Sequence, residues 1–165
     1  MNERMSECNV REGGACDLEQ VLGVQHRAFG RVAEMYDIRP ADLPPLNESL
    51  EDLEALLDGG TRFFVCESRH GSIVGSVRAT ETDGVVEIGR LVVDDGWQRR
   101  GVATALMDLL EVSYLDARRF ELFTGAEADV PLTLYEKRGY TRCRFGKVNG
   151  VRLVWLQKPG PGAVS

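Results

Sequence analysis

The sequence predicts an α/β fold in which a mixed, mostly antiparallel central sheet of six or seven strands is flanked by about four helices. Apolar residues recur at helical spacing in two early segments, and three segments with a period of two follow between short glycine-bearing turns. A strand then leads through a basic turn into an amphipathic helix. The predicted order is β-α-α-β-β-β-α-β-α-β-β in a single domain over residues 9–158, with 1–8 and 159–165 as flexible termini.

The first part of the chain predicts a short strand near residues 9–11 and helices over about 18–30 and 49–58. Asp17 is the expected N-cap of the first helix, with Gln20 at the capping-box position and Gly30 near its end. Residues 31–47 have no clean period and contain three prolines, so we expect an irregular segment. Gly59-Gly60 ends the second helix.

The middle of the chain changes to a period of two, which predicts strands at Arg62–Ser68, Ser72–Thr80 and Val85–Val93. The links Arg69–Gly71 and Glu81–Gly84 are short and contain glycine, so the three strands form an antiparallel meander. Further elements are a helix over about 101–116, a strand at Arg119–Gly125, a short helix ending at Gly139 and a hairpin of Tyr140–Phe145 with Val151–Gln157. The strand after the crossover helix should be parallel to the third meander strand.

Composition excludes several classes of protein. The net charge of −6 argues against a nucleic-acid binder, and no apolar run is long enough to cross a membrane. The N-terminus is polar without a signal-peptide segment, so we expect a cytoplasmic protein. The four cysteines lack metal-ligand spacing and there are two histidines, so we expect free thiols and no metal.

Charge is unevenly distributed along the chain. Residues 1–58 contain 13 acids and five arginines, whereas residues 59–165 contain 13 acids and 15 bases. Solvated surfaces account for most of this difference, and the acidic part also hints at a cationic substrate.

The segment Gln98–Ala103 lies between a predicted strand and a helix. The first turn of a helix has unpaired N–H groups and partial positive charge, and Arg99 and Arg100 add full charges. A phosphate or diphosphate is therefore the expected ligand. The P-loop pattern is absent, and the dinucleotide pattern fails because the turn has only Gly101 with Ala103 and follows an antiparallel meander.

Three motifs together resemble the Gcn5-related N-acetyltransferase (GNAT) family. Gln98–Ala103 matches the Q/R-x-x-G-x-G/A signature, Leu91–Asp94 matches the L-x-V-D strand end, and Leu134–Tyr140 matches L-Y-E-x-x-G-F/Y. The element order agrees from about residue 9 to 158. The resemblance implies a GNAT-like acyl-CoA N-acyltransferase fold with acetyl-CoA as cosubstrate.

The resemblance also implies which residues bind the cosubstrate. The pantetheine arm would pair with strand backbone and the pyrophosphate with the basic turn, through Leu91, Val92, Val93, Gln98, Arg99, Arg100, Gly101, Val102, Ala103 and Thr104. The segment Ala128–Pro131 replaces the family's N-x-x-A, so an asparagine that often contacts pantetheine is absent.

By the same resemblance, Tyr135 is the expected acid that protonates the leaving thiolate. Glu87 is the expected base, on the same side of its strand as Gly89 and Leu91 if that strand is regular, with Glu121 or water alone as rivals. A backbone amide at Val92 or Val93 would polarise the acetyl carbonyl. None of the cysteines has a catalytic motif, so direct transfer in a ternary complex is favoured over a cysteine-bound intermediate.

The acceptor is less defined than the donor. Tyr36 and Asp37, with Glu34 as an alternative, could bind a cationic amine, and Thr124 would mark the point where strands separate. We expect a small-molecule primary amine, with a protein or peptide amino group as the alternative acceptor. A non-catalytic or regulatory acyl-CoA-binding domain is the second class of function, and the resemblance also allows a homodimer.

Overall fold

The computed structural model describes residues 7–163, and these contain seven strands and four α-helices. The strands are β1 (Cys8–Gly13), β2 (Arg62–Ser68), β3 (Ile73–Thr82), β4 (Val85–Val93), β5 (Arg119–Gly125), β6 (Thr141–Val148) and β7 (Val151–Pro159). The helices are α1 (Leu18–Met35), α2 (Leu50–Asp58), α3 (Val102–Val112) and α4 (Asp129–Lys137). The strand order in the sheet is β1-β2-β3-β4-β5-β7-β6. This mixed, mostly antiparallel sheet confirms the predicted fold class.

Helix α1 is longer than predicted, because Gly30 does not end it. A glycine weakens a helix by only about 1 kcal/mol relative to alanine, and the following turn is retained with Ala33 buried. The helix ends where Asp37 takes a left-handed φ of 51°. There the N–H of Ile38 donates to the Ala33 carbonyl at 2.8 Å, which is the Schellman arrangement.

The predicted capping box at the start of α1 is wrong. The Asp17 carboxylate accepts hydrogen bonds from the Arg11 guanidinium at 2.8 and 2.9 Å and from the Gly14 N–H at 2.8 Å. Gln20 Oε1 accepts from the N–H of Ile73 at 3.0 Å. Both side chains therefore bind groups outside the first turn of α1, and for Asp17 the charged guanidinium is the stronger partner.

The chain divides into two compact units, of which the first comprises the chain up to Ala79 together with Arg90–Val112. Its core joins α1 and α2 to the sheet through Leu18, Val21, Val24, Leu53, Phe63, Val65, Ile73 and Val92. Phe64 and Cys66 alternate with core residues of β2 and are also buried, so both faces of this strand are covered. Helix α3 contacts β2 and β1.

The second unit comprises Thr80–Gly89 and the chain from Ser113. Strand β5 is parallel to β4, as predicted, and antiparallel to β7, which forms a hairpin with β6. Asn149 and Gly150 join β6 to β7 with φ values of 52° and 82°. Asp83 and Gly84 also have positive φ values, of 51° and 83°, and β3 extends to Thr82, so that turn is shorter than predicted. Two-residue turns with these φ values match the twist of a hairpin.

Two further boundaries differ from the prediction. One is the end of α3, before β5, and the other is the start of the C-terminal tail, after β7. Helix α3 ends at Val112 rather than near residue 116, and Tyr114 is buried in the turn that follows. The tail was expected to be flexible from residue 159, but Pro159 belongs to β7. The N–H of Gly160 donates to the Arg118 carbonyl at 2.8 Å.

Candidate active site

The end of β4 is anchored within the first unit by hydrogen bonds of Asp94. Its N–H donates to the Val74 carbonyl at 2.8 Å, and its carboxylate accepts two bonds from Arg27 at 3.0 and 2.9 Å. A short 3-10 turn at Asp95–Trp97 then leads into the basic turn. The strand end and the turn therefore have a fixed relation to each other.

The basic turn has two residues with left-handed backbone. Arg99 has a φ of 62° and Gly101 a φ of 81°, and α3 begins directly afterwards at Val102. The N–H of Ala105 donates to the Gly101 carbonyl at 3.0 Å, so the amides of Val102, Ala103 and Thr104 precede the first intrahelical bond. Such amides at a helix N-terminus suit an anionic group.

Gly75 on β3 has a role in this site that the sequence did not reveal. A Cβ atom at this position would lie 2.8 Å from Val102 Cγ1 and 3.2 Å from the Val92 carbonyl oxygen. Glycine is therefore what allows the first residue of α3 to approach the sheet. The available signal was a glycine inside an otherwise apolar predicted strand.

The two arginines of the turn have different surroundings. Arg100 forms an ion pair with Glu7 at 3.1 Å, and its guanidinium lies 5.0 Å from the centre of the Trp97 ring. Arg99 is exposed, and the structure shows no ion pair for it within residues 7–163. Gln98 Nε2 donates to the Val93 carbonyl at 3.5 Å. Arg99 is thus the arginine whose charge remains available to a ligand.

Strand β4 is not regular, which changes the expectation for Glu87. Arg90 has a left-handed φ of 56°, so side-chain alternation cannot be carried from Glu87 to Leu91 as predicted. Glu87 is exposed and lies opposite Glu121 in the parallel pairing with β5. This pairing runs from Val85 to Ile88, and residues 91–93 lie beyond it.

Tyr135 lies in the second unit, two residues before the last residue of α4. Just beyond the helix, Gly139 has a φ of 97°, and the N–H of Tyr140 donates to the Tyr135 carbonyl at 3.1 Å. The two tyrosine rings meet edge to face, with centroids 5.9 Å apart. This Schellman motif explains the spacing of tyrosine, glycine and tyrosine. Burial raises the pKa of Tyr135 above its ordinary value, so the phenol remains protonated well into the alkaline range.

The other candidate residues have less distinctive surroundings. Glu121 forms an ion pair with Arg119 at 2.6 Å, and Thr124 is partly buried in the pairing of β5 with β7. Tyr36 is 41% exposed at the end of α1, and the backbone of Asp37 forms the turn there. Asp37 therefore has a structural role in addition to its predicted one.

Sequence reasoning missed a cluster of charged side chains in the first unit, formed by Glu48 with Arg78 and Arg90. The nitrogens of both arginines donate to the Glu48 carboxylate at 2.9–3.2 Å. The available signal was two arginines inside otherwise apolar strands, where a charge requires a partner.

The thiols and the possible metal ligands are the remaining candidate groups. All four cysteines are free, as expected, and burial raises the pKa of Cys66. Residues 7–163 contain no cluster of three or more His, Cys, Asp or Glu side chains that could hold a metal ion. Over the same residues, no helix has the length and apolar character needed to span a membrane.

The fold and the basic turn are those expected of an acyltransferase that uses an anionic cosubstrate. The family model described as acetyltransferase (GNAT) domain matches residues 59–142, slightly more than half of the chain. The chain therefore belongs to the GNAT acetyltransferases and is an N-acetyltransferase. No match was found among curated proteins.

Solved structures support the fold. The ribosomal-protein-S18-alanine N-acetyltransferase of Escherichia coli is 14% identical with a TM-score of 0.76, and 96% of each chain is covered. A phosphinothricin acetyltransferase from Sinorhizobium meliloti, solved with acetyl-CoA, is 15% identical with a TM-score of 0.75 over 96% of this chain and 91% of that one. The spermidine N-acetyltransferase of Vibrio cholerae, solved with CoA and spermine, is 18% identical with a TM-score of 0.70 over 93% and 96%.

Proposed function

We propose that this protein transfers the acetyl group of acetyl-CoA to a primary amine of a small molecule, directly and without a covalent enzyme intermediate. The observation that carries the proposal is the left-handed basic turn, which leads from β4 into free amides at the start of α3. The family to which the chain belongs supports the same donor.

The diphosphate of acetyl-CoA is assigned to the turn and the first amides of α3. The amides of Val102–Thr104 offer hydrogen bonds and a favourable dipole, and Gly101 leaves room for close approach of the backbone. Arg99 supplies the uncompensated positive charge. Arg100 contributes less, because Glu7 already pairs with it.

The acyl arm is assigned to the backbone of Leu91–Val93. This segment lies beyond the pairing of β4 with β5, which leaves its backbone for an added strand-like partner. An amide of Val92 or Val93 would donate to the thioester oxygen. Negative charge develops on that oxygen when the amine attacks, so such a donor stabilises the transition state.

Tyr135 is proposed to protonate the departing thiolate of CoA. Its raised pKa keeps the proton on the phenol until the thiolate forms, and a thiol is a stronger acid than such a phenol. A short hydrogen bond in the reacting complex is therefore required for transfer. The buried ring is held by its contact with Tyr140, which fixes where the hydroxyl lies.

Glu87 is proposed to accept the proton of the acceptor ammonium through water. Its exposed carboxylate suits a solvent-mediated base, and its neighbour Glu121 is already paired with Arg119. Direct transfer is favoured because burial raises the pKa of Cys66, while Cys143 Sγ donates to the Trp155 carbonyl. A thiol with a raised pKa is a poor nucleophile.

The acceptor is proposed to be a small molecule rather than a protein amino group. Tyr36, Asp37 and Thr124 are the candidate contacts. Similar structures include a spermidine N-acetyltransferase, a phosphinothricin acetyltransferase and a ribosomal-protein-S18-alanine N-acetyltransferase, so both classes of acceptor are represented. A search over acceptors is therefore the decisive experiment.

The test measures thiol release from acetyl-CoA with amino acids, polyamines, aminoglycosides and peptides, together with mass analysis of the products. We expect equal amounts of free CoA and one N-acetylated product, with intersecting initial-velocity lines. Parallel lines would contradict direct transfer. Thiol release without an acetylated amine, or none with any acceptor, would contradict the transferase function, and exclusive reaction with peptides would favour a protein acceptor.

A further inference from the structure

The carboxylate of Glu48 is the centre of a half-buried polar network in the first unit. Arg78 donates to it with both terminal nitrogens, at 3.2 and 2.9 Å. Arg90 donates through Nε at 2.9 Å, and Gln25 donates through Nε2 at 2.7 Å. The side chains of Glu48, Arg78 and Arg90 are 16–18% exposed, so this is not a solvated surface pair.

The segment that carries Glu48 is itself fixed in place. The fully buried Gln25 also donates to the Pro45 carbonyl at 2.9 Å, and the His26 ring lies 3.1 Å from the Glu48 carbonyl oxygen. Glu48 is therefore held by contacts with α1 as well as by the two arginines.

The charges of this cluster do not balance. Two guanidinium groups face one carboxylate, which leaves one positive charge in a partly desolvated place. Burial lowers the pKa of Arg90, because desolvation disfavours the charged form of the guanidinium. The hydrogen bond to Glu48 acts in the opposite direction.

Arg90 also presents donors that the protein does not use. Within residues 7–163, its hydrogen bonds involve only Nε, and its two terminal nitrogens have none. Neither of these nitrogens is among the fully buried atoms without a partner. Arg90 holds this position with a left-handed φ of 56°, a conformation that persists in a non-glycine residue only where the surroundings impose it.

We propose that the terminal nitrogens of Arg90, oriented by Glu48 and supported by Arg78, bind a carboxylate or similar oxyanion of the acceptor. A guanidinium fork matches the two oxygens of such a group, and one unbalanced positive charge matches its charge. The acceptor class is then an amine that also carries an anionic group, such as an amino acid. This inference rests on the proposed transferase function and narrows its substrate.

The test compares matched acceptors that differ only in that group. Each L-amino acid is assayed against its own carboxamide, with aminoalkylphosphonates and polyamines as further arms. We expect kcat/KM to be at least about tenfold higher for the acid than for the amide, as one charged hydrogen bond provides. Amidation lowers the pKa of the amine and makes it a more available nucleophile, so reactivity alone would give the opposite order.

Variants of Arg90 separate binding from general effects. Arg90→Gln should remove the preference for the acid chiefly through the KM of the acceptor, with the KM of acetyl-CoA unchanged, and Arg90→Lys should retain part of it. Arg62→Gln, which removes an exposed pair with Glu12, is the control and should keep the wild-type ratio. If Arg90→Gln does not fold, the ratio of kcat/KM for acid and amide in the wild type and in Arg90→Lys tests the proposal instead.

The outcomes distinguish this inference from the function on which it rests. Equal rates for acids and amides, a preference for polyamines, or a change confined to the KM of acetyl-CoA would overturn the anion site while leaving the transferase function intact. A preference for phosphonates would support the site and identify phosphonate as the oxyanion. Absence of acetyl transfer to every acceptor would overturn both.

Discussion

Tyr135 shows how one residue can serve both the structure and the proposed reaction. Its ring packs on Tyr140 at the end of α4, while its hydroxyl is the proposed acid. Phenylalanine would keep the ring contact and remove only the proton donor. The two roles can therefore be separated by a substitution that changes one atom.

We predict that Tyr135→Phe lowers kcat by about 100-fold, in the range for loss of general acid catalysis, with little change in the KM of acetyl-CoA. Because the pKa of Tyr135 is raised, titration of this residue should not reduce wild-type kcat between pH 8 and 10. Steady-state kinetics across this pH range are the measurement. Tyr114→Phe, at another buried tyrosine, is the control, and equal rates for Tyr135→Phe and wild type would exclude the acid role.

At the residue scale, the sequence singled out positions that belong to local motifs. Gly101 and Tyr135 stand at fixed offsets from helix ends, and the resemblance to the GNAT family motifs located them. The pairing of Glu48 with Arg78 and Arg90 joins residues 30 and 42 positions apart. No local rule relates such residues.

At the scale of secondary-structure elements, the close contact of α3 with the sheet at Gly75 leads to a specific prediction. Gly75→Ala places a methyl group 2.8 Å from Val102 Cγ1, so either α3 or the strand must shift. We expect a loss of about 1–3 kcal/mol in the free energy of unfolding, together with weaker binding of acetyl-CoA. Chemical denaturation and calorimetry measure the two effects. Gly30→Ala, in open space within α1, should not destabilise the protein, and a similar neutral result for Gly75→Ala would contradict the close contact.

The Glu48 network joins α1, β3 and β4, and it predicts how the stability of the protein depends on pH. Burial alone would raise the pKa of Glu48. The hydrogen bonds from Arg78 and Arg90 nevertheless hold this pKa below its ordinary value. A lowered folded-state pKa contributes stability above the unfolded value, about 4.3, that is lost as the pH falls through the folded value. Glu48→Gln should cost about 2–3 kcal/mol at pH 7 and much less at pH 2–3.

Urea unfolding of wild type and Glu48→Gln at both pH values checks this prediction. The quantity compared is the difference in the free energy of unfolding between the two proteins at each pH. This difference is used because Glu12 and Asp17 also have lowered pKa values and titrate in both proteins. A difference between the two proteins that does not change with pH would mean that the carboxylate of Glu48 is not the stabilising group.

For the whole molecule, the order and nature of the elements were predictable because hydrophobic periodicity is a local property. The strands Arg62–Ser68, Val85–Val93 and Arg119–Gly125 agree at both ends. The ends of α1 and α3 did not follow from the sequence, because burial of Ala33 and Tyr114 depends on tertiary contacts. Asp17 illustrates the same limit, since its partner Arg11 lies on a different element.

The central claim, that acetyl-CoA binds at the start of α3, is tested most directly by calorimetric titration of a charge variant. Thr104 is exposed in the first turn of α3, where glutamate favours the helix but repels a diphosphate. Val112, 63% exposed, lies about 12 Å further along the same helix and provides the control. We predict that Thr104→Glu raises the Kd of acetyl-CoA at least about tenfold while Val112→Glu leaves it unchanged. Equal affinity in Thr104→Glu and wild type would contradict the assigned donor site.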